Sequence, residues 1–324
     1  MTSLPFGKRT LVITCSSAGF LYIQLLFKEF FIRVLPIDEK TFKTMPILKT
    51  KMLQEIKKAR VQSPSSINTF KQCRRKYFYN YIEKLPQVSN IHQVRGNIAH
   101  SVLEDFFDMS ITDWTIENYQ QKIKVEVQQL LVRFWGEYNG KLNGLGLNPD
   151  KERFYFEETM LMLLNWSNHF IEDMEKTGLP INEAFECLTP IRELQYKSEA
   201  LGVRGFVDAI HHVGNEIHII DYKTNSKFSF SNSIRLQLGI YSLLYKETHG
   251  IMPDRVGIFF LRQKMKTIAV DEGLLEEVKL EIMDVHKNTQ SIEIEDYPRT
   301  VTGLCKWSTG QCDFYKTCKP HDNR

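Results

Sequence analysis

Charge of one sign is scarce in this sequence. Its 42 Lys and Arg stand against 39 Asp and Glu, a formal net charge of +3. That is too little to mark the whole surface as a nucleic-acid binder, so any basic surface has to be local. Cysteine is also sparse: six in 324 residues exclude a disulfide framework at this length. Internal repeats and low-complexity segments are missing, which removes repeat architectures. An uninterrupted hydrophobic span is missing too. Lys8 and Arg9 precede a mostly apolar run over 11–27, superficially a signal peptide or an anchor. However, Lys28, Glu29 and Arg33 break it, and no small-residue cleavage pattern closes it.

The first sixty residues therefore read as an N-terminal appendage, with a strand over 10–14, a helix over 16–30 and a strand over 32–37. A membrane anchor, or an upstream extension with Met45 or Met52 as the true start, are the alternatives. Nothing further along the chain carries secretion logic. The expectation is an intracellular protein, cytoplasmic or in the host cytoplasm if viral, with no membrane partner.

With 42% hydrophobic and 25% charged residues, the chain has the composition of an ordinary globular protein able to bury one substantial core plus an appendage. Polar residues at 62–66 separate the appendage (1–60) from the main domain (61–324). Helical spacing predicts helices over 67–83, 96–109, 115–140 and 157–176, the first capped by Ser65 or Ser66. The pattern then changes to strands at 191–198, 203–213 and 216–224, a helix at 231–248, strands at 255–262 and 267–270, and a helix at 272–286. The domain thus divides into a helical part (61–180), an α/β core (185–290) and a cysteine-bearing tail (300–320). The fold class is mixed α/β, or α+β, with a central sheet flanked by helices.

The most informative stretch runs from Gly205-Phe-Val-Asp208 to Ile220-Asp-Tyr-Lys-Thr224. Two runs rich in β-branched residues flank Gly214-Asn215, a pair that favours a tight hairpin. If Val213 faces Glu216 across that turn, the same register carries Asp208 opposite Asp221, with Cβ atoms roughly 5 Å apart. Paired carboxylates repel unless a cation lies between them or one holds a proton. Lys223 projects from the same face, because strand side chains alternate, and Ile217 and Ile219 give that face an apolar base. Hard oxygen ligands of this kind suit Mg2+ or Mn2+. A structural Asp221–Lys223 pair with an unrelated Asp208 is the bland alternative.

These residues resemble the RecB-like branch of the PD-(D/E)xK nucleases, which includes the CRISPR-associated exonucleases. Six elements occur in the family's order over roughly 63–320. They are Ser63-Pro-Ser-Ser-Ile67 with Cys73-Arg-Arg-Lys-Tyr77; Arg95-Gly-Asn-Ile-Ala-His100-Ser-Val-Leu-Glu104; Glu193; Gly205-Phe-Val-Asp208; Asp221-Tyr-Lys223; and Gln237-Leu-Gly-Ile-Tyr241. The resemblance implies a restriction-endonuclease-like core and hydrolysis of phosphodiester bonds in DNA by an exonuclease or end-processing nuclease. It implies a substrate that is single-stranded or has free ends, and partners in replication, repair or CRISPR adaptation. By the same resemblance Asp208, Asp221, the Tyr222 carbonyl and His100 bind the catalytic metal, and Lys223 positions or activates the nucleophile. Glu193 assists through a water or a second metal, and Gln237 and Tyr241, one helical turn apart, hold the substrate or Lys223. Tyr241 also falls on an apolar stripe and reads equally as core, and His100 and Glu104 read equally as a surface pair.

Many relatives carry a 4Fe-4S cluster on one cysteine before the core and three after it. Cys73, Cys305, Cys312 and Cys318 fit that distribution, as a staple between the first core helix and the tail. Zn2+ competes for four thiolates. Six residues separate Cys305 from Cys312, more than the family pattern places there. Cys15 and Cys187 read as ordinary thiols. Arg74 and Arg75, interleaved with aromatics of which Phe78 and Tyr81 read as core, are candidates for phosphate contacts. Arg262, Lys264 and Lys266 form a second basic edge. From other classes, a catalytically silent DNA-binding or scaffolding subunit and an RNA-directed nuclease stay open.

Overall fold

A glycine with φ of +62° closes the central hairpin. Gly214 adopts the left-handed conformation that side chains resist, and the flanking runs pair with Val213 opposite Glu216, through to Ala209 opposite Ile220. This is the register expected from the sequence. The computed structural model describes residues 60–87, 89–307 and 310–321. The strand–helix–strand appendage expected before residue 60 lies outside the described residues.

In chain order the helices are α1 (Pro64–Gln72), α2 (Arg74–Tyr77) running into a π-helical turn (Phe78–Ile82), α3 (Ile91–Asp105), α4 (Tyr119–Glu137), α5 (Asn139–Asn143), α6 (Pro149–Thr177) and α7 (Ile181–Leu188). The sheet follows, as β1 (Ile191–Ser198), β2 (Val203–Val213), β3 (Glu216–Lys223), then α8 (Asn232–His249), β4 (Arg255–Phe260) and β5 (Met265–Ala269). Helix α9 (Glu272–Asn288), a small hairpin β6 (Lys306–Trp307) and β7 (Gly310–Gln311), and α10 (Tyr315–Cys318) complete it.

The five strands lie in sequence order, antiparallel except for β3 and β4. A parallel pair needs a crossover, and α8 supplies it. Alternation along the strands sorts most of their side chains into two cores, with a break at Asp208 that sends Val207 and Ala209 to opposite faces. Val207, Ile210 and Ile219 face α1, α8 and α9, while Ala209, Ile220, Tyr222 and Phe259 face α3, α4, α6 and α7. Helices thus cover both faces of a mixed sheet, as expected. Among the described residues no helix is long and apolar enough to cross a membrane.

The opening helix departs from expectation. A single helix over 67–83 was expected, yet the chain breaks at Cys73, whose backbone is extended (φ −163°, ψ 113°). Its start is also earlier. Ser63, not Ser65 or Ser66, is the cap: its hydroxyl accepts from Ser66 N, and Ser66 Oγ in return accepts from Ser63 N. Pro64 at the first helical position reinforces that boundary.

Candidate active site

Asp208, in the middle of β2, and Asp221, near the end of β3, approach each other across the hairpin. Asp208 Oδ2 accepts a hydrogen bond from Tyr222 N at 2.9 Å, so the carboxylate is tied to the neighbouring strand by its backbone. Asp221 is 2% exposed. Its Oδ1 accepts from Gln237 Nε2 at 2.7 Å, and Lys223 Nζ lies 2.6 Å from Oδ2. That ammonium is the partner of Oδ2, which is otherwise buried. Gln237 reaches this point because Ser231 caps α8 by accepting from Ile234 N, and the same amide donates to Tyr241 Oη at 2.9 Å. Tyr241 is buried, so it is core and also holds Gln237 in place. Its ring explains Gly205: a methyl group there would lie 2.9 Å from Tyr241 Cε1.

Helix α3 and strand β1 close the group. His100 Nε2 donates to the Tyr222 carbonyl at 2.9 Å, and its Nδ1 lies 3.4 Å from Asp208 Oδ2. Two of the expected metal ligands therefore bond to each other. Glu193 sits where the β1–β2 ladder skips a pair, between Arg192 opposite Ala209 and Leu194 opposite Val207. Its φ is +49°, a left-handed conformation costing a non-glycine residue about 1–3 kcal/mol. Next to it, Arg192 donates to the Glu104 carbonyl and, at 2.7 Å, to Asp108. Ligand atoms of His100, Glu193 and Asp208 all lie within 4.8 Å of one another.

The crowding shows in the proton affinities. Burial and then the Asp208 charge push the Glu193 carboxyl up to about 7. Burial lifts Asp221 to about 6 against the pull of Lys223, with Asp208 adding to the rise. His100 would be lowered by burial, but its contact with Asp208 outweighs that and raises it to about 9. Asp208 moves the other way: burial would raise it, and His100 draws it below the usual range. Two of the three carboxyls in this small volume, Glu193 and Asp221, hold protons they would otherwise release, the condition a divalent cation relieves.

A family model described as the PD-(D/E)XK nuclease superfamily matches residues 62–319. The chain belongs to that superfamily. The Gene 69 proteins of Mycobacterium phages D29 and L5 are each 26% identical to it, over 219 and 229 residues. These alignments cover 62% and 63% of this chain, and 74% and 77% of theirs. A crystal structure of a Eubacterium rectale protein provisionally named an exonuclease aligns over 87% of this chain and 98% of that one. Its TM-score is 0.43 at 9% identity, a likeness too slight to argue from. The five-stranded mixed sheet with helices on both faces is the restriction-endonuclease-like core of this superfamily, and a nuclease acts on nucleic acid.

Around the centre of this nuclease lies a support that sequence reasoning missed. Glu158 on α6 accepts from Arg95 Nη1 at 2.6 Å and from Arg262 Nη1 and Nη2 at 2.8 and 3.1 Å. Arg262 Nε in turn donates to the carbonyl of Thr224, next to Lys223, at 3.2 Å. Asn165, two turns along α6, donates to the carbonyls of Leu261 and Gln263. Helix α6 thus clamps the β4–β5 turn against the end of β3. Its signal in the sequence is slight: Glu158 and Asn165 lie seven residues apart on one helix face. The clamp also corrects the second basic edge, since Arg262 is spent on Glu158, and Lys266 Nζ rests 4.3 Å over the Phe228 ring. The first edge is partly spent as well. Arg75 Nε donates to the Tyr297 carbonyl at 2.7 Å, and Arg74 lies 4.9 Å over the Phe70 ring. Phe78 is buried and Tyr81 half-buried, as core residues should be.

An open cleft adjoins His100 and Glu193, floored by the face of α3 from His92 to Ser101 and bounded by Tyr138. A separate cavity is lined by Cys73, Cys305, Cys312 and Cys318 together with Phe314 and Tyr79. The break between α1 and α2 delivers Cys73, the β6–β7 hairpin brings Cys305 and Cys312 together through a 2.9 Å bond from Cys312 N to the Cys305 carbonyl, and α10 ends on Cys318. Burial raises the Cys312 and Cys318 thiols, and the nearby Cys73 adds to both. Cys187 is exposed on α7, and Cys15 lies outside the described residues.

Proposed function

We propose that this chain is a divalent-metal-dependent DNA nuclease that trims or degrades from ends and favours single strands. One observation carries the reading: a histidine and two carboxylates from three separate elements converge within 4.8 Å, beside the Asp221–Lys223 pair. On this reading Asp208, Asp221, the Tyr222 carbonyl and His100 hold Mg2+ or Mn2+, and Glu193 holds a water or a second ion. The donor set fits, since it is mostly hard oxygen and includes a buried Asp221 oxygen held at the Lys223 ammonium. A bound ion of this kind lowers the pKa of its water and offsets charge on the scissile phosphate.

The side chains do the rest. Lys223 would lose affinity for its proton through burial, but Asp221 more than restores it, so the group stays an ammonium. Its part is to hold the phosphate and the negative charge that develops there. Gln237 fixes one oxygen of Asp221, and the other, beside the Lys223 ammonium, faces the ion on this reading. The preference for ends and single strands rests on the family resemblance of the motifs.

The same resemblance supports a 4Fe-4S cluster on Cys73, Cys305, Cys312 and Cys318, and the four side chains do line one cavity. Arg74 and Arg75, both half-exposed, are proposed to meet phosphates. The test of the whole reading is digestion of 5′- and 3′-labelled single-stranded DNA with and without Mg2+ or Mn2+, beside RNA of the same sequence, for the wild type and Lys223→Ala. Metal-dependent loss of DNA that vanishes in the variant is expected. Equal persistence of DNA in every lane would make the chain a silent scaffold.

A further inference from the structure

Glycine inside a helix is destabilising relative to alanine, so Gly96, in the middle of α3, needs a reason. Conformation does not supply one, because Gly96 is not among the left-handed glycines. Crowding does not either: a methyl group there would meet nothing nearer than Thr224 Oγ1 at 3.8 Å. At Gly239 and Gly257, by contrast, the added carbon would fall 2.4 Å from Val278 Cγ2 and from the Lys266 carbonyl. What Gly96 does border is the open cleft beside His100 and Glu193. A side chain at 96 would enter that space.

The lining of the cleft says what it takes. Among the described residues no Lys or Arg lines it, and Glu104 and Glu193 stand there with His100, so it offers phosphate no net positive surface. Its remaining surface is amide, hydroxyl and aromatic, from Gln93, Asn97, Ser101, Tyr138 and His92. Partial burial and the nearby Arg95 lower the His92 pKa, which keeps that ring neutral. Amides and hydroxyls pair with base edges and sugar oxygens, and flat rings receive bases.

We propose that this cleft is the subsite for the base and sugar adjoining the scissile phosphate, and that Gly96 is kept bare to admit them. The proposal rests on the metal-centre reading above and deepens it.

The test uses Gly96→Ala and Gly96→Leu with three measurements. These are thermal unfolding, binding of a short fluorescent oligothymidylate, and Mn2+-supported hydrolysis of that DNA against bis(p-nitrophenyl) phosphate, a diester without a base. Gly96→Ala should unfold at or above the wild-type temperature. Gly96→Leu should bind the oligonucleotide at least about tenfold more weakly, while its turnover of the base-free diester changes less than about twofold. An oligonucleotide with an abasic residue next to the cleaved bond should lose the same factor with the wild type, and nothing more with Gly96→Leu. Wild-type binding by Gly96→Leu, or a lowered unfolding temperature in Gly96→Ala, would overturn the proposal. If the wild type hydrolyses neither compound, the metal-centre reading fails, and oligonucleotide binding still decides the cleft.

Discussion

The carboxylate centre and the cysteine cavity are assembled in opposite ways. The first is local. Asp208, Asp221 and Lys223 lie within sixteen residues of one another on one hairpin, where a turn and strand alternation set their geometry, and helices α3 and α8 add His100 and Gln237. The second is remote. Cys73 and the tail cysteines are separated by the whole sheet, and they are joined by packing of α2 and the turn after it on the returning chain. Tyr77 is stacked on Tyr297, Tyr79 lies against Phe314, and Arg75 is bonded to the Tyr297 and Pro298 carbonyls. A local site depends little on global stability, whereas a remote one is itself a source of it.

That contrast can be broken by substitution. The largest effect is expected at the hairpin: Lys223→Ala, Asp208→Ala or Asp221→Ala should lower DNA turnover by about 10²–10³-fold or more, with the unfolding temperature close to wild type and the content of the cysteine site unchanged. Global unfolding of all three variants would show that the centre is structural. Cys73→Ala should act in reverse. Iron and sulfide, with the brown colour of the anaerobically purified protein, should be lost and solubility should fall, while Mn2+ binding to the folded fraction persists. A colourless wild type containing zinc would replace the cluster by that ion.

A third substitution sharpens the comparison from outside both sites. Glu158→Gln leaves Arg95, 4% exposed, buried without a counter-charge, a loss of about 3–5 kcal/mol by urea unfolding. Its pH dependence has a definite sign. Arg262, then Arg95, hold the Glu158 carboxyl down at about 2 against the opposing effect of burial, below its unfolded value of roughly 4.3. Its contribution is therefore complete above that unfolded value and disappears as the pH falls toward 2. The gap in stability between wild type and Glu158→Gln should narrow over that window, and a constant gap would remove the ion network as its cause. The smallest effect belongs to the exposed Lys264, whose removal should change stability by less than about 0.5 kcal/mol and should lessen the salt dependence of DNA binding only slightly.

The parts legible in the sequence were those fixed by short-range rules. Gly214-Asn215 announced the turn, and the turn announced the β2–β3 register from Val213–Glu216 to Ala209–Ile220, one pair short of Asp208 and Asp221. The helical spacing over 231–248 put Gln237 and Tyr241 one turn apart, but their partner Asp221 appears only in the structure. Long-range choices stayed hidden. Nothing near Cys73 announces a helix break, because its cause is distant: Arg75 N and Nε bond to the Pro298 and Tyr297 carbonyls, which holds α2 out of line with α1. The left-handed backbone at Glu193 answers to its neighbours in space and not to its own side chain. Arg262 looked like a free cation because Glu158 is far from it in sequence. The Ser63 cap was readable and was misplaced, since Ser63, Ser65 and Ser66 compete in one short stretch and only Pro64 separates them.

The packing of α2 on residues 297–314 sets an order of events during synthesis. All five strands leave the ribosome before Tyr297 and Phe314 do. Until then the sides of Tyr77, Phe78 and Tyr79 that Tyr297 and Phe314 cover lack those partners. For that interval a greasy aromatic surface is on view to chaperones and to other nascent chains, and it is hidden only when the returning segment arrives.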